Sequence, residues 1–264
     1  VPLDALPARV PSAFGAPAPG RSLPGGQGGS WRAGDLVLKR GGGAVHDWWA
    51  EAQGRIVLDG VRLADPVRTR DGAWSCEGWT ATRWLDGHGP DLSSASGWLA
   101  VLRAGRAFHL AVAHLSRPQC LDDRQDPWAL ADREAWGERS SRLRPELAAL
   151  GRRLQRALQP LGPSQVVHGD LTGNVLVSTR QGPALLDVSP YWRPTAYAEG
   201  VVVADALCRY DAPASVLEDA EVGVPAVARA LVFRLATTQH LAHRADDLAD
   251  QAERYERAVA ALGL

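Results

Sequence analysis

The sequence predicts an α+β fold in two unequal lobes, a small β-rich one followed by a larger, mainly helical one. Three observations predict it. Strand-like alternation is confined to the chain before Leu85. Apolar spacings of three and four residues dominate after it. Short β-branched runs, Val166-Val167 and Val175 to Val177, then interrupt the helical part around a polar turn. Strands followed by helices, rather than regular alternation of the two, is the order of a segregated α+β architecture. A length of 264 residues suits two lobes that bury most of their apolar surface, and 45% hydrophobic with 22% charged residues is a globular composition.

Residues 1–24 are rich in Pro, Ala and Gly without a sustained period, so they read as an irregular arm, with Phe14 suited to pack on the first lobe. The first lobe spans 25–85. Gly25, Gly26, Gly28 and Gly29 cluster ahead of a strand that runs from Asp35 to Lys39. Glycines let a backbone come close to a ligand, and the strand's terminal lysine carries an ammonium in the same direction. No Gly-Lys-Ser/Thr follows, which excludes a Walker motif. A short helix closed by Gly54 carries Asp47 and Glu51, and two strands follow around an Asp71-Gly72 turn.

The second lobe spans 86–264. A helix over 96–114 is expected to bury Leu99, Leu102, Gly105 or Ala107, and Leu110; one over 142–158 lines up Leu143, Leu147, Leu150, Leu154 and Leu158. The β-branched runs then bracket His168, Asp170 and Asn174, and a third apolar run, Ala184-Leu185-Leu186, ends on Asp187. Short strands that end on loop carboxylates present charge to a ligand from a rigid base. Beyond them Tyr191, Trp192 and Arg193 suit two roles left open: stacking on a ring and steadying phosphate charge, or packing the loop down without touching anything that reacts. Helices near 213–220, 224–243 and 246–262 read as scaffold.

A formal net charge of −1 lacks the basic footprint of a nucleic-acid binder. Cys76, Cys120 and Cys208 are odd in number, far apart and without metal-ligand spacing, which points to a reducing cytoplasm. No basic head with a long apolar core and no run of transmembrane length is present, so neither secretion nor a membrane partner is expected.

His168-Gly169-Asp170 with Asn174 close behind, then Leu186-Asp187 at a strand end, resembles the catalytic and metal-binding loops of the aminoglycoside phosphotransferase family, a branch of the protein-kinase-like fold. The resemblance implies a bilobal kinase-like fold and phosphoryl transfer from ATP, the co-substrate, to a small-molecule hydroxyl. Asp170 would take the hydroxyl proton, while Asn174 and Asp187 would hold Mg2+. Lys39 would engage the phosphates, held by Glu51 or alternatively Asp47, under the backbone of Gly25, Gly26, Gly28 and Gly29. Main-chain groups of Arg83, Trp84 and Leu85 would meet adenine, His168 would support the loop, and a buried Asp205 would hold it through backbone hydrogen bonds.

The sequence departs from the family at one point: Asn174 comes four positions after Asp170, one fewer than usual. Gly173 is the residue able to absorb that difference. The acceptor implied is an amino sugar, an aminoglycoside-like molecule or another polyol. Acidic groups at Asp122, Asp123 and Asp126 and at Glu218, Asp219 and Glu221 suit a cationic one. GTP in place of ATP stays open. So does a catalytically impaired nucleotide-binding regulatory protein of the same fold, which the short spacing favours. A protein kinase fits poorly, because the loop after Asp187 reaches Pro190 within three residues.

Overall fold

Leu36 and Leu38 are buried while Val37 and Lys39 lie on the opposite face, the period of two that a half-covered strand requires. The computed structural model describes residues 6–17, 19–23, 29–241 and 245–264. In chain order the first elements are α1 (Arg9–Ala13), β1 (Arg21–Ser22), β2 (Ser30–Ala33), β3 (Leu36–Arg40), α2 (Ala44–Gln53), β4 (Arg62–Leu63), β5 (Pro66–Val67) and β6 (Trp79–Arg83). Then come α3 (Ala95–Val112), α4 (Pro127–Ala135), α5 (Pro145–Arg156), β7 (Gln165–His168), β8 (Val175–Leu176), β9 (Ala184–Leu185) and β10 (Pro190–Arg193). The helices α6 (Thr195–Arg209), α7 (Val216–Ala220), α8 (Val224–Leu241) and α9 (Ala245–Ala261) complete the chain. The architecture is the bilobal α+β, protein-kinase-like one, β-rich first and helical after.

The chain divides into two compact units, Val1–Gly89 with Leu176–Asp187, and Pro90–Val175 with Val188–Leu264. The first is built on a five-stranded antiparallel sheet of order β1-β2-β3-β6-β5. Its core joins Leu36, Leu38, Trp79 and Ala81 of the sheet to Val10 and Phe14. The stretch expected as an irregular arm therefore supplies a helix, a strand and two core residues. Burying Phe14 to 6% exposure is worth about 2 kcal/mol, enough to order a short helix that is marginal by itself.

The second surprise is where Asp187 belongs. It was expected in the helical lobe, yet β9 pairs in parallel with β4, Arg62 opposite Ala184 and Leu63 opposite Leu185. The Arg62 guanidinium also donates to the Gly182 and Asp86 carbonyls, at 2.9 and 3.1 Å. Both contacts tie the strand before Asp187 to the sheet-bearing unit. The predicted Asp71-Gly72 turn forms, with the Gly72 N–H donating to Thr69 O at 2.9 Å, but the regular strand after it starts only at Trp79.

In the helical unit α6 and α8 are buried around nearly their whole circumference, as interior helices must be. β7 and β10 form an antiparallel pair with His168 opposite Pro190 and Val167 opposite Tyr191. On α3 the buried stripe runs through Trp98, Val101, Leu102, Phe108, His109 and Val112. Leu110, expected inside, is 80% exposed, and the stripe is rotated because Trp98 and Phe108 supply more apolar area than the leucines. Among the described residues no helix is long and apolar enough to cross a membrane.

Candidate active site

The predicted site residues fall into two groups, one in each unit. In the first unit the end of β3 delivers Lys39, whose ammonium forms an ion pair with the Asp187 carboxylate, 148 positions away in sequence. Both side chains are about half exposed, at 41% and 51%. A pair so open to water adds at most about 1 kcal/mol to stability. Lys39 can therefore exchange its partner for another anion at little cost. Asp187 adopts a φ of 33°, a left-handed conformation uncommon outside glycine. Strain of this kind is kept where a side chain has to be aimed.

Lys39 is also the only lysine in the chain, against 28 arginines. That contrast was available in the sequence: an ammonium and a guanidinium are not interchangeable, and the chain carries the ammonium at one side-chain position alone. The expected Lys39–Glu51 pair is not formed. Glu51 contacts Arg68 at 3.5 Å, and Arg68 is fixed over the Trp74 ring and on the Gly72 carbonyl. The alternate, Asp47, contacts His46 at 3.2 Å. Arg68 is the cation that reaches Glu51, and Asp187 is the anion that reaches Lys39.

Main-chain accounting also narrows the proposed adenine contact. The Arg83 and Trp84 N–H groups donate to Asp65 O and Asp35 O, each at 2.8 Å, so neither donor is open to a base. Among the described residues nothing accepts from the Leu85 N–H. Gly25, Gly26 and Gly28 lie outside the described residues. Gly29 is described, and a Cβ there would meet nothing within 4 Å.

In the helical unit the turn after β7 is held through its backbone. The His168 N–H donates to His109 Nε2 at 3.2 Å, the Gly169 N–H to Ser189 O at 2.9 Å, and the Asp170 N–H to His168 Nδ1 at 3.1 Å. Three successive donors are thereby satisfied, as buried main chain demands. Asn174 closes the turn: its amide nitrogen donates to Asp170 O at 2.7 Å and lies 3.4 Å from Asp170 Oδ2. Among the described residues no hydrogen bond is made to its amide oxygen. Gly173 stands at φ 82°, where only glycine is at ease, and the shortened turn closes there. Asp170 itself is 46% exposed and reachable.

Two buried imidazoles thus serve as acceptors. Burial, and then the neighbouring His168, push the His109 pKa down to about 3 from 6.5. The unfolded chain binds that proton below about pH 6.5 and the folded chain does not. The stabilisation is complete above pH 6.5 and is lost as pH falls toward 3. Between pH 7 and 5 the loss is about 2 kcal/mol. Urea unfolding at the two pH values should show it, and His109→Gln, which keeps an acceptor without the titration, should flatten the dependence. An equally steep dependence in that variant would count against His109.

Gly169 has its own constraint. A Cβ there would lie 2.4 Å from Cδ2 of the Tyr191 ring, which is 7% exposed and fixed by Phe233 and Arg124. Gly169→Ala should cost about 1–3 kcal/mol in thermal unfolding and displace Asp170. An unchanged melting curve would refute the packing argument.

The same packing removes Tyr191 as a stacking platform. Arg193 is likewise engaged, by Asp132 at 2.6 Å and Glu138 at 2.6 Å, and is not open to phosphate. Burial opposes its charge, but the Glu138 and Asp132 carboxylates outweigh it and raise its pKa. Of the acids near Asp122, Asp122 pairs with Arg117 but stays exposed, Asp123 is exposed, and Asp126 pairs with Arg124 at 2.9 Å while capping α4.

Asp205 is fully buried as expected, but it reaches the turn through a side chain rather than the backbone. Arg234 on α8, 2% exposed, places Nη2 2.5 Å from Asp205 Oδ2 and 3.4 Å from Asp170 Oδ1. The other Asp205 oxygen lies 3.5 Å from Arg209 Nε. Burial acts against the Arg234 charge, yet the Asp205 and Asp170 carboxylates outweigh it and raise its pKa. The signal was a single charge inside the apolar run Ala230-Leu-Val-Phe-Arg234-Leu-Ala.

Comparison with known proteins agrees with the geometry. Residues 43–188, over half of the chain, match the phosphotransferase enzyme family. The fold is similar to an aminoglycoside phosphotransferase from Alicyclobacillus acidocaldarius, at 18% identity and a TM-score of 0.58 over 98% of this chain and 96% of that one. It is also similar to a microcompartment-associated aminopropanol kinase, at 17% identity and a TM-score of 0.62 over 94% and 93%. A choline/ethanolamine kinase family protein from Mesorhizobium loti shares 18% identity with a TM-score of 0.51 over 97% and 96%. No curated protein matches the chain in sequence. The chain belongs to the phosphotransferase enzyme family.

Proposed function

We propose that this protein transfers the γ-phosphate of ATP to a hydroxyl of a small molecule, an amino sugar, an aminoglycoside-like molecule or another polyol. The observations that carry the reading are an exposed pair of Lys39 and Asp187 in one unit and, within the other, a backbone-fixed, reachable Asp170. Lys39 engages the non-transferred phosphates. Asp170 orients the acceptor hydroxyl and takes its proton as the acceptor oxygen bonds to the γ-phosphorus. The bond from that phosphorus to the β,γ-bridging oxygen breaks, and ADP leaves. The Leu85 N–H is the main-chain donor for adenine.

Magnesium fits the donors present. The Asp187 carboxylate and the Asn174 amide oxygen are hard ligands, and the Asn174 NH2 is already spent on Asp170. When bound, magnesium neutralises charge on the phosphate oxygens. Three free cysteines support a reducing cytoplasm as the setting.

The proteins of similar fold are named for aminoglycosides, aminopropanol and choline or ethanolamine, all amino alcohols, so a panel of amino alcohols, amino sugars and polyols is the first choice of acceptor. Incubation with magnesium and ATP, then GTP, should yield an acceptor heavier by one phosphate. Nucleotide binding with no product across the panel would favour the second reading, an impaired nucleotide-binding regulatory protein. The observation on its side is that Glu51 pairs with Arg68 instead of Lys39.

A further inference from the structure

We propose that Arg234 is a positioning residue that clamps one carboxylate oxygen of Asp170, so that the other faces the acceptor hydroxyl; this rests on the reading of Asp170 as the base. Nη2 of Arg234 is shared between Asp205 Oδ2 at 2.5 Å and Asp170 Oδ1 at 3.4 Å. The Asn174 amide lies 3.4 Å from Asp170 Oδ2. The two carboxylate oxygens are told apart by the charge of their neighbours rather than by distance: at 3.4 Å each, one meets a buried cation and the other a neutral amide.

Scaffolding alone does not account for a guanidinium here. A buried ion pair is usually no more stabilising than well-packed apolar side chains, because both charges lose their hydration. Asp205, fully buried, supplies the counter-charge that lets Arg234 stay ionised inside the unit. Tyr255 fixes the helix at the same level, its hydroxyl donating to the Arg234 carbonyl at 3.1 Å. Among the described residues Arg234 Nε has no acceptor, so the hydrogen bonds of this side chain are concentrated on the nitrogen that faces Asp170. One guanidinium nitrogen, Nη2, reaches both carboxylates from a rigid helix, and a reacting group misplaced by about 1 Å loses on the order of a hundredfold in rate.

The test removes the buried pair together. The Asp205→Asn, Arg234→Met double variant leaves no uncompensated buried charge and should melt cooperatively. Phosphate release from magnesium-ATP, with water as the acceptor, should show KM within about twofold of the parent and kcat down about a hundredfold. Arg234→Lys should recover part of kcat. Parental kcat in the folded double variant would overturn the proposal, as would a loss of kcat and nucleotide affinity together. If the double variant does not fold, Arg234→Lys decides: lower kcat at constant KM supports the clamp, and any other result overturns it. In an Asp170→Asn background the Asp205→Asn, Arg234→Met pair should have no further effect on kcat, and an added loss in the folded protein would mean that Arg234 does not act through Asp170. A parental rate for Asp170→Asn alone would instead sink the base assignment, which separates the two failures.

Discussion

Asp170→Asn is expected to lower turnover by about a hundred- to ten-thousandfold while magnesium-nucleotide binding survives. The substitution keeps the shape of the side chain, and the turn that holds it does not depend on the carboxylate. That turn rests on three N–H donors, those of His168, Gly169 and Asp170, and on the Asn174 amide bonded to the Asp170 carbonyl. What is lost is the proposed acceptor of the hydroxyl proton. The proposed nucleotide contacts come from other residues, so a thermal-shift titration with magnesium-ATP should match the parent. Near-parental turnover would remove Asp170 as the base.

The second large effect is on nucleotide affinity. Lys39→Met removes the chain's only lysine ammonium, and Asp187→Asn removes its partner and the carboxylate proposed to hold magnesium. A charge-assisted contact to phosphate is worth about 1.5–3 kcal/mol, which corresponds to about ten- to hundredfold in Kd. Because the Lys39–Asp187 pair is half exposed, neither change should move the melting temperature of the free protein appreciably. Asp187→Asn should weaken ATP binding only in the presence of magnesium, whereas Lys39→Met should weaken it with or without the ion. A Kd unchanged in both variants would place the phosphates elsewhere.

How much of this was legible in the sequence depended on the range of the interaction. Asp170, Asn174 and Asp187 could be proposed as site residues because short strands and turns bracket them locally, and the positive φ of Gly173 could be anticipated from the spacing. The bilobal α+β order was legible from the change in period near Leu85. Pairing was not. Whether Glu51 meets Lys39 depends on Arg68 and on a carboxylate 148 residues downstream, and no local pattern carries that information. The phase of α3 was misjudged at Leu110 because large aromatics outweighed leucines. A Pro-rich start hid α1, whose order comes from burying Val10 and Phe14 rather than from helix propensity. The Asp205–Arg234–Asp170 chain joins residues from three elements, and only the isolated charge within α8 hinted at it.

The single lysine makes the central claim directly measurable. Limited acylation of the intact protein, read by peptide mass spectrometry at Lys39 with the N-terminal amine as an internal reference, reports whether the ammonium is covered. Magnesium-ATP should slow modification of Lys39 by at least about tenfold, the occupancy expected at ten times Kd, and Asp187→Asn should abolish that protection. Equal labelling of Lys39 with and without saturating magnesium-nucleotide would contradict the account.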